Sequence, residues 1–150
     1  MHTIVEFAEK KSALTGFVIE RTAKRMKQAC QHYLNEAGID LTVDQWVLMH
    51  ELHKNDGEGQ NELARKTFKD APTVTRIIDL LCKKDLTRRK TDPGDRRKFN
   101  VFLTETGKEI IAETIPVIQQ FRRQAYSTLS NEELTTLNDI LDKIFENLNG

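Results

Sequence analysis

Apolar positions recur at helical spacing from early in the chain. Leu14, Phe17, Val18, Met26, Cys30, Tyr33, Leu34 and Ala37 predict a first helix over about 12–37, which Gly38 stops. Thr42 and Gln45 have the spacing of a capping box, so a second helix begins at Val43 and buries Trp46, Val47 and Leu52. The run from Asn55 to Gly59 reads as a loop. A short helix over about 60–67 follows, with Leu63 and Ala64 turned inward. The next helix, about 71–84, is capped by Asp70, carries Pro72 in its first turn and buries Val74, Ile77, Ile78 and Leu81.

The period then changes from helical to alternating. Leu86 to Lys90 and Lys98 to Leu103 read as two strands, with Phe99, Val101 and Leu103 sharing one face. Asp92-Pro93-Gly94-Asp95 joins them, Pro93 fixing φ and Gly94 free to take a positive φ. Thr104 caps a long helix to about residue 127, and Ser130 with Glu133 forms a second capping box. The last helix is expected to bury Leu134, Leu137, Leu141, Ile144 and Leu148.

The fold class that follows is mostly α with a small β-hairpin wing. A winged helix-turn-helix over about 43–104 is flanked by long helices over about 12–37 and 105–149, in one domain spanning 1–150. The apolar stripes of the flanking helices exceed what so small a winged unit can cover. They are therefore expected to form a dimer interface.

Charge changes the picture only through its distribution. The chain is formally neutral, but residues 65–100 hold 12 Lys and Arg against five Asp and Glu, an excess of +7 that the remainder balances with −7. A basic segment of that kind on a neutral protein suits a phosphate-bearing partner, here double-stranded DNA. No apolar run reaches membrane-spanning length, and a cytoplasmic protein without membrane contact is expected. There is no Gly-rich phosphate loop, no nucleophile elbow and no pair of carboxylates arranged for acid–base work. Neither a catalytic site nor a cofactor is expected.

On the helix 71–84, Pro72, Arg76, Asp79 and Lys83 fall opposite the apolar stripe, with Thr73 and Thr75 on the flanks. Arg76 is early enough in the helix to reach base edges in the major groove, and Asp79 could pair with it in the free protein. At the wing, Asp95 and Arg97 stand two apart, so a salt bridge would orient an arginine suited to the minor groove. Arg96, Lys98, Arg88, Arg89 and Lys90 are the expected phosphate contacts.

Leu63-Ala64, Pro72-Thr73-Val74-Thr75-Arg76 and the Asp95-Arg96-Arg97…Leu103-Thr104 wing resemble the MarR family of multiple-antibiotic-resistance-type regulators. The flanking helices extend the likeness over nearly the whole chain. The resemblance implies a homodimeric repressor that binds pseudo-palindromic DNA and is released by a small lipophilic or anionic effector. The family's effector pocket lies where the dimerisation helices meet the winged module, and Tyr33 and Trp46 are candidates to line it. The chain departs from the family pattern where Phe68 and Asp85 stand in place of glycines and Thr67 replaces an aliphatic residue.

Three alternatives remain open at this stage. His50 and His53, one helical turn apart, offer half a metal site but no complete one. Cys30 could sense oxidants, although a small core residue is the plainer role; Cys82 reads as structural. A winged helix that binds only protein would have no need of the wing arginines.

Overall fold

The computed structural model describes the backbone of residues 2–149 and the side chains of residues 10–149. Helix α1 spans His2–Glu36, α2 Val43–Lys54, α3 Gln60–Lys66, α4 Ala71–Lys83, α5 Glu105–Ala125 and α6 Asn131–Leu148. Three strands, β1 (Glu58–Gly59), β2 (Thr87–Asp92) and β3 (Asp95–Leu103), form an antiparallel sheet in the order β1-β3-β2. This is a mostly α winged helix-turn-helix with long helices at both ends. Helix α1 starts well before residue 12, because no glycine or proline interrupts the segment ahead of it.

The helix starts are built as the sequence suggests. Thr42 and Ser130 each complete a reciprocal capping box, with Gln45 and Glu133. Asp70 accepts from the Thr73 N–H at 2.8 Å, and Thr104 Oγ1 accepts from the Gly107 N–H at 2.9 Å.

Three helix ends share one geometry. After α1, Gly38 takes φ 71° while the Ile39 N–H reaches the Leu34 carbonyl and the Gly38 N–H reaches Asn35. The same 6→1 and 5→2 pair of bonds closes α3 at Phe68 and α4 at Asp85. Phe68 (φ 54°) and Asp85 (φ 61°) are the only non-glycine residues with positive φ among those described. Each costs about 1 kcal/mol relative to glycine. Phe68 and Asp85 thus stand strained in the same turn geometry that Gly38 adopts without strain.

The core joins the second half of α1 to the winged module. Leu34, Leu48, Met49, Leu52, Leu63, Val74, Ile78, Leu81, Val101 and Ile111 are all fully or almost fully buried. Several expected details differ. Val47 and Ile77 are only half-buried, and Leu48 and Met49 fill the place given to Val47, because α2 turns its 45–46/48–49 face inward. Phe99 is 44% exposed, since it pairs with Thr91 in the outer part of the hairpin, beyond the helices. Gly94 does not adopt a positive φ; the wing turn is held instead by Asp92 Oδ1, which accepts from the Gly94 and Asp95 N–H groups at 2.7 and 3.2 Å. The loop before α3 contains β1, whose Glu58 and Gly59 pair with Val101 and Asn100.

The largest correction concerns α6, which buries none of its residues within the chain. Leu134 is half-buried, while Leu137 (44%), Leu141 (37%), Ile144 (37%) and Leu148 (82%) are exposed. Within the chain Phe145 of α6 meets Phe68 edge-on, the ring centres 5.6 Å apart, and most of the helix's apolar side stays exposed.

Candidate nucleic-acid interface

Helix α4 presents its polar face beside the wing. Pro72, Thr75, Arg76 and Lys83 are exposed and Thr73 is half-exposed. The Arg76 guanidinium donates to Thr73 Oγ1 at 3.3 Å, which leans it toward the helix N-terminus. Lys83 belongs to the last turn, about 16 Å along the axis from Pro72 at 1.5 Å per residue.

Asp79 does not pair with Arg76. Its Oδ1 lies 2.6 Å from Arg89 Nη1, on the neighbouring strand β2. Arg89 Nη2 also donates to the Thr75 carbonyl at 3.2 Å, and Arg89 Nε donates to Gln60 Oε1 at 2.9 Å. Gln60 Nε2 in turn donates to Thr75 Oγ1 at 2.9 Å. Arg89, grouped with Arg88 and Lys90 by sequence, is thus spent on the protein itself and ties β2 to α3 and α4. Strand alternation explains the split, since Arg88 and Lys90 leave the opposite face and are exposed. The Lys90 ammonium sits 4.9 Å from the centre of the Phe102 ring.

At the wing tip the Asp95 carboxylate accepts from the Arg97 N–H at 3.0 Å and from its guanidinium at 3.1 and 3.3 Å. The bonds from Arg97 hold the Asp95 carboxyl below the usual carboxylate range, so Asp95 stays a carboxylate at neutral pH. The Arg97 side chain remains 90% exposed while its direction is set. Arg96 and Lys98 flank it in solvent.

Other cations of the basic segment are neutralised locally. Asp44 bridges Lys27 and Lys69, at 2.8 and 2.7 Å. Lys66 is held between Glu51 and Glu58, Arg65 pairs with Glu62, and Lys84 with Asp40. Among the described residues Arg76, Lys83, Arg88, Lys90, Arg96 and Lys98 form no salt bridge. The surplus charge therefore concentrates on one helix face and one hairpin.

Sequence reasoning missed the structural supports of this surface. Asp56 Oδ1 accepts from the Leu103 N–H at 2.8 Å and pins the loop before β1 to β3. Gly57, at φ 81°, lies under the Phe102 ring, where a Cβ would approach to 2.7 Å. Gly107 is buried at the start of α5, against the Leu86 carbonyl.

Tyr33 and Trp46 occupy different surroundings. Tyr33 donates to Gln124 of α5, meets Phe121 edge-on at 6.1 Å and borders a hollow with Arg25, Gln28 and His32. Trp46 is a core residue, 6% exposed, with its ring 5.3 Å from that of His50, and does not line that hollow. The His50 and His53 rings are 6.5 Å apart, and no group of three or more potential ligands gathers among the described residues. Burial pushes the Cys30 thiol up, and nearby Arg122 only partly offsets this, so Cys30 is not a ready thiolate. Cys82 is half-buried against Thr87.

Residues 41–99 match the MarR family, from the end of the first connection to the middle of the wing. That stretch holds the helix-turn-helix and the first part of the wing. An uncharacterised HTH-type transcriptional regulator of Bacillus subtilis, YsmB, is 29% identical over 84% of this chain and 85% of its own. The MarR-family likeness extends to structures. The S. aureus MepR–DNA complex is 25% identical and superposes with a TM-score of 0.80, over 88% of this chain and 96% of that one. A variant of E. coli MarR complexed with operator DNA, 24% identical, shares the fold at a TM-score of 0.80 over 86% of this chain and 91% of its own. The chain thus has the fold of MarR-family transcription regulators. No helix among the described residues is long and apolar enough to cross a membrane.

Proposed function

We propose that the chain is a homodimeric, sequence-specific transcription repressor that binds a pseudo-palindromic operator and lets go on binding a small lipophilic or anionic effector. The observation that carries the reading is the pairing of surfaces: α4 with exposed Arg76, and a wing whose exposed Arg97 is aimed by Asp95. In this reading Arg76 reads a base edge, with Thr73 and Thr75 beside it and Pro72 and Lys83 at the two ends of the contact. Arg97 enters the minor groove, where its preset direction lowers the ordering cost. Arg96, Lys98, Arg88 and Lys90 hold phosphates; Arg89 leaves that set because all three of its guanidinium nitrogens are engaged within the protein and its charge is paired with Asp79.

The dimer is supported by the uncovered apolar side of α6 and by Leu14 and Phe17 of α1, 56% and 60% exposed. Two copies related by a two-fold axis would place their α4 helices on half-sites about 10 base pairs apart. MepR and MarR are each seen on DNA, and this chain shares their fold. The proposed place of action is the cytoplasm. The effector would enter near Tyr33, between α1 and α5, while Trp46, a core residue, stands outside that hollow.

The test is a footprint on the DNA upstream of the protein's own gene. Protection of a pseudo-palindrome with half-sites one helical turn apart is expected. No protection there, together with no enrichment from random-sequence DNA, would overturn the reading.

A further inference from the structure

Four side chains between the wing and α4 form a chain of hydrogen bonds whose direction is fixed by chemistry. A guanidinium can only donate. Arg89 Nε donates to Gln60 Oε1 at 2.9 Å, so the oxygen of that amide faces Arg89 and its NH2 faces away. The NH2 donates to Thr75 Oγ1 at 2.9 Å. Asp79 Oδ1, 2.6 Å from Arg89 Nη1, holds the guanidinium in place from the other side.

Thr75 Oγ1 is therefore an acceptor within the protein, and its own O–H is left over. Threonines elsewhere on the helices, such as Thr22 and Thr114, donate to the carbonyl four residues earlier. Thr75 makes no such bond among the described residues, and it is exposed on the polar face of α4. Thr75 lies one residue before Arg76, at the height of the helix from which base edges are reached.

We infer that Arg89, acting through Gln60, is a positioning residue that fixes Thr75 as a hydrogen-bond donor toward DNA, so that Thr75 selects a base presenting a major-groove acceptor. This rests on the DNA-binding reading proposed above and deepens it. The acceptors available are purine N7, guanine O6 and thymine O4, while cytosine offers a donor at the equivalent edge. The relay also fixes the angle between β2 and α4, so wing and helix meet DNA as one body.

The relay can be reversed by one substitution. In Gln60→Glu the new carboxylate still accepts from Arg89 but has no proton to give Thr75. The Thr75 hydroxyl then donates inward to it and turns a lone pair outward. The test takes the best sequence that the full-length protein selects from random DNA and all its single base-pair variants. Affinities are compared for the wild type, Gln60→Glu, Thr75→Val and Arg89→Gln, each first shown to be folded by its melting curve.

Thr75→Val is expected to lose about tenfold discrimination at one base pair per half-site. Gln60→Glu should shift the preference at that same base pair toward a base presenting a donor. Arg89→Gln should lose discrimination there with its salt slope unchanged. Any uniform weakening from added negative charge cancels in these ratios. Discrimination in Gln60→Glu identical to wild type would overturn the relay. So would equal weakening of every sequence by Thr75→Val, or a salt slope lowered by about one per copy in Arg89→Gln, as for a phosphate contact. A wild-type protein that prefers no sequence would instead overturn the functional reading itself.

Discussion

A chain ending before Leu134 is expected to sediment as a monomer where the full chain sediments as a dimer. Helix α6 contributes no buried residue to its own chain, so its removal leaves the core of Leu34, Leu52, Ile78 and Ile111 intact. It does remove Leu137, Ile140, Leu141, Ile144, Phe145 and Leu148, all exposed. Fully burying such a side chain is worth about 1.5–3 kcal/mol, and these are about half exposed, so their loss from both copies, roughly 9–18 kcal/mol, is comparable with the free energy of a nanomolar dimer, about 12 kcal/mol. The substitutions Leu141→Glu and Ile144→Glu, made together, should have the same effect without shortening the chain. Operator affinity should fall by on the order of a hundredfold or more as binding at two linked half-sites becomes binding at one. A truncated protein that remains dimeric would place the interface elsewhere.

Gly107→Ala is expected to lower the melting temperature by roughly 10 °C, from a destabilisation of about 3 kcal/mol. A Cβ at this position would lie 2.2 Å from the Leu86 carbonyl oxygen, which is backbone and cannot swing aside. That carbonyl also accepts from the Thr104 N–H at 3.1 Å, and Thr104 in turn donates to the Asp85 carbonyl at 2.6 Å. The junction of α4, β2 and α5 is therefore locked at one point, and relief of the clash must move α5 relative to the wing. A melting temperature within a degree or two of wild type would show that the junction yields more easily than its geometry implies.

Much of the fold is legible because its signals are local. Thr42-x-x-Gln45 and Ser130-x-x-Glu133 need only their own four residues to cap a helix, and both do so. The apolar period of α6 is equally local, but its destination is not. Leu137 and Leu141 reveal a face; only the surroundings reveal whether the same chain covers it. Strand β1 is two residues long and too short for any periodicity, and it exists because β3 offers Val101 and Asn100 as partners. At the wing turn, Pro93-Gly94 suggested a glycine conformation that the Asp92 side chain made unnecessary.

The candidate site divides in the same way. The Asp95–Arg97 bridge spans two residues and could be read from their spacing. Arg88, Arg89 and Lys90 look alike in composition, yet the two-residue period of β2 sends the middle one against α4. That period was the available signal for Arg89. Gln60, far from Thr75 in sequence, had none.

The central claim is that the unpaired cations of α4 and the wing bind DNA, and salt dependence tests it most directly. Affinity for the selected operator should be measured between 50 and 200 mM salt, for the wild type and for Arg96→Ala. The account predicts a log–log slope of roughly −5 to −9 for the wild-type dimer, shallower by about two in Arg96→Ala, one phosphate contact being lost from each copy. A slope near zero, or one that Arg96→Ala leaves unchanged, would contradict it.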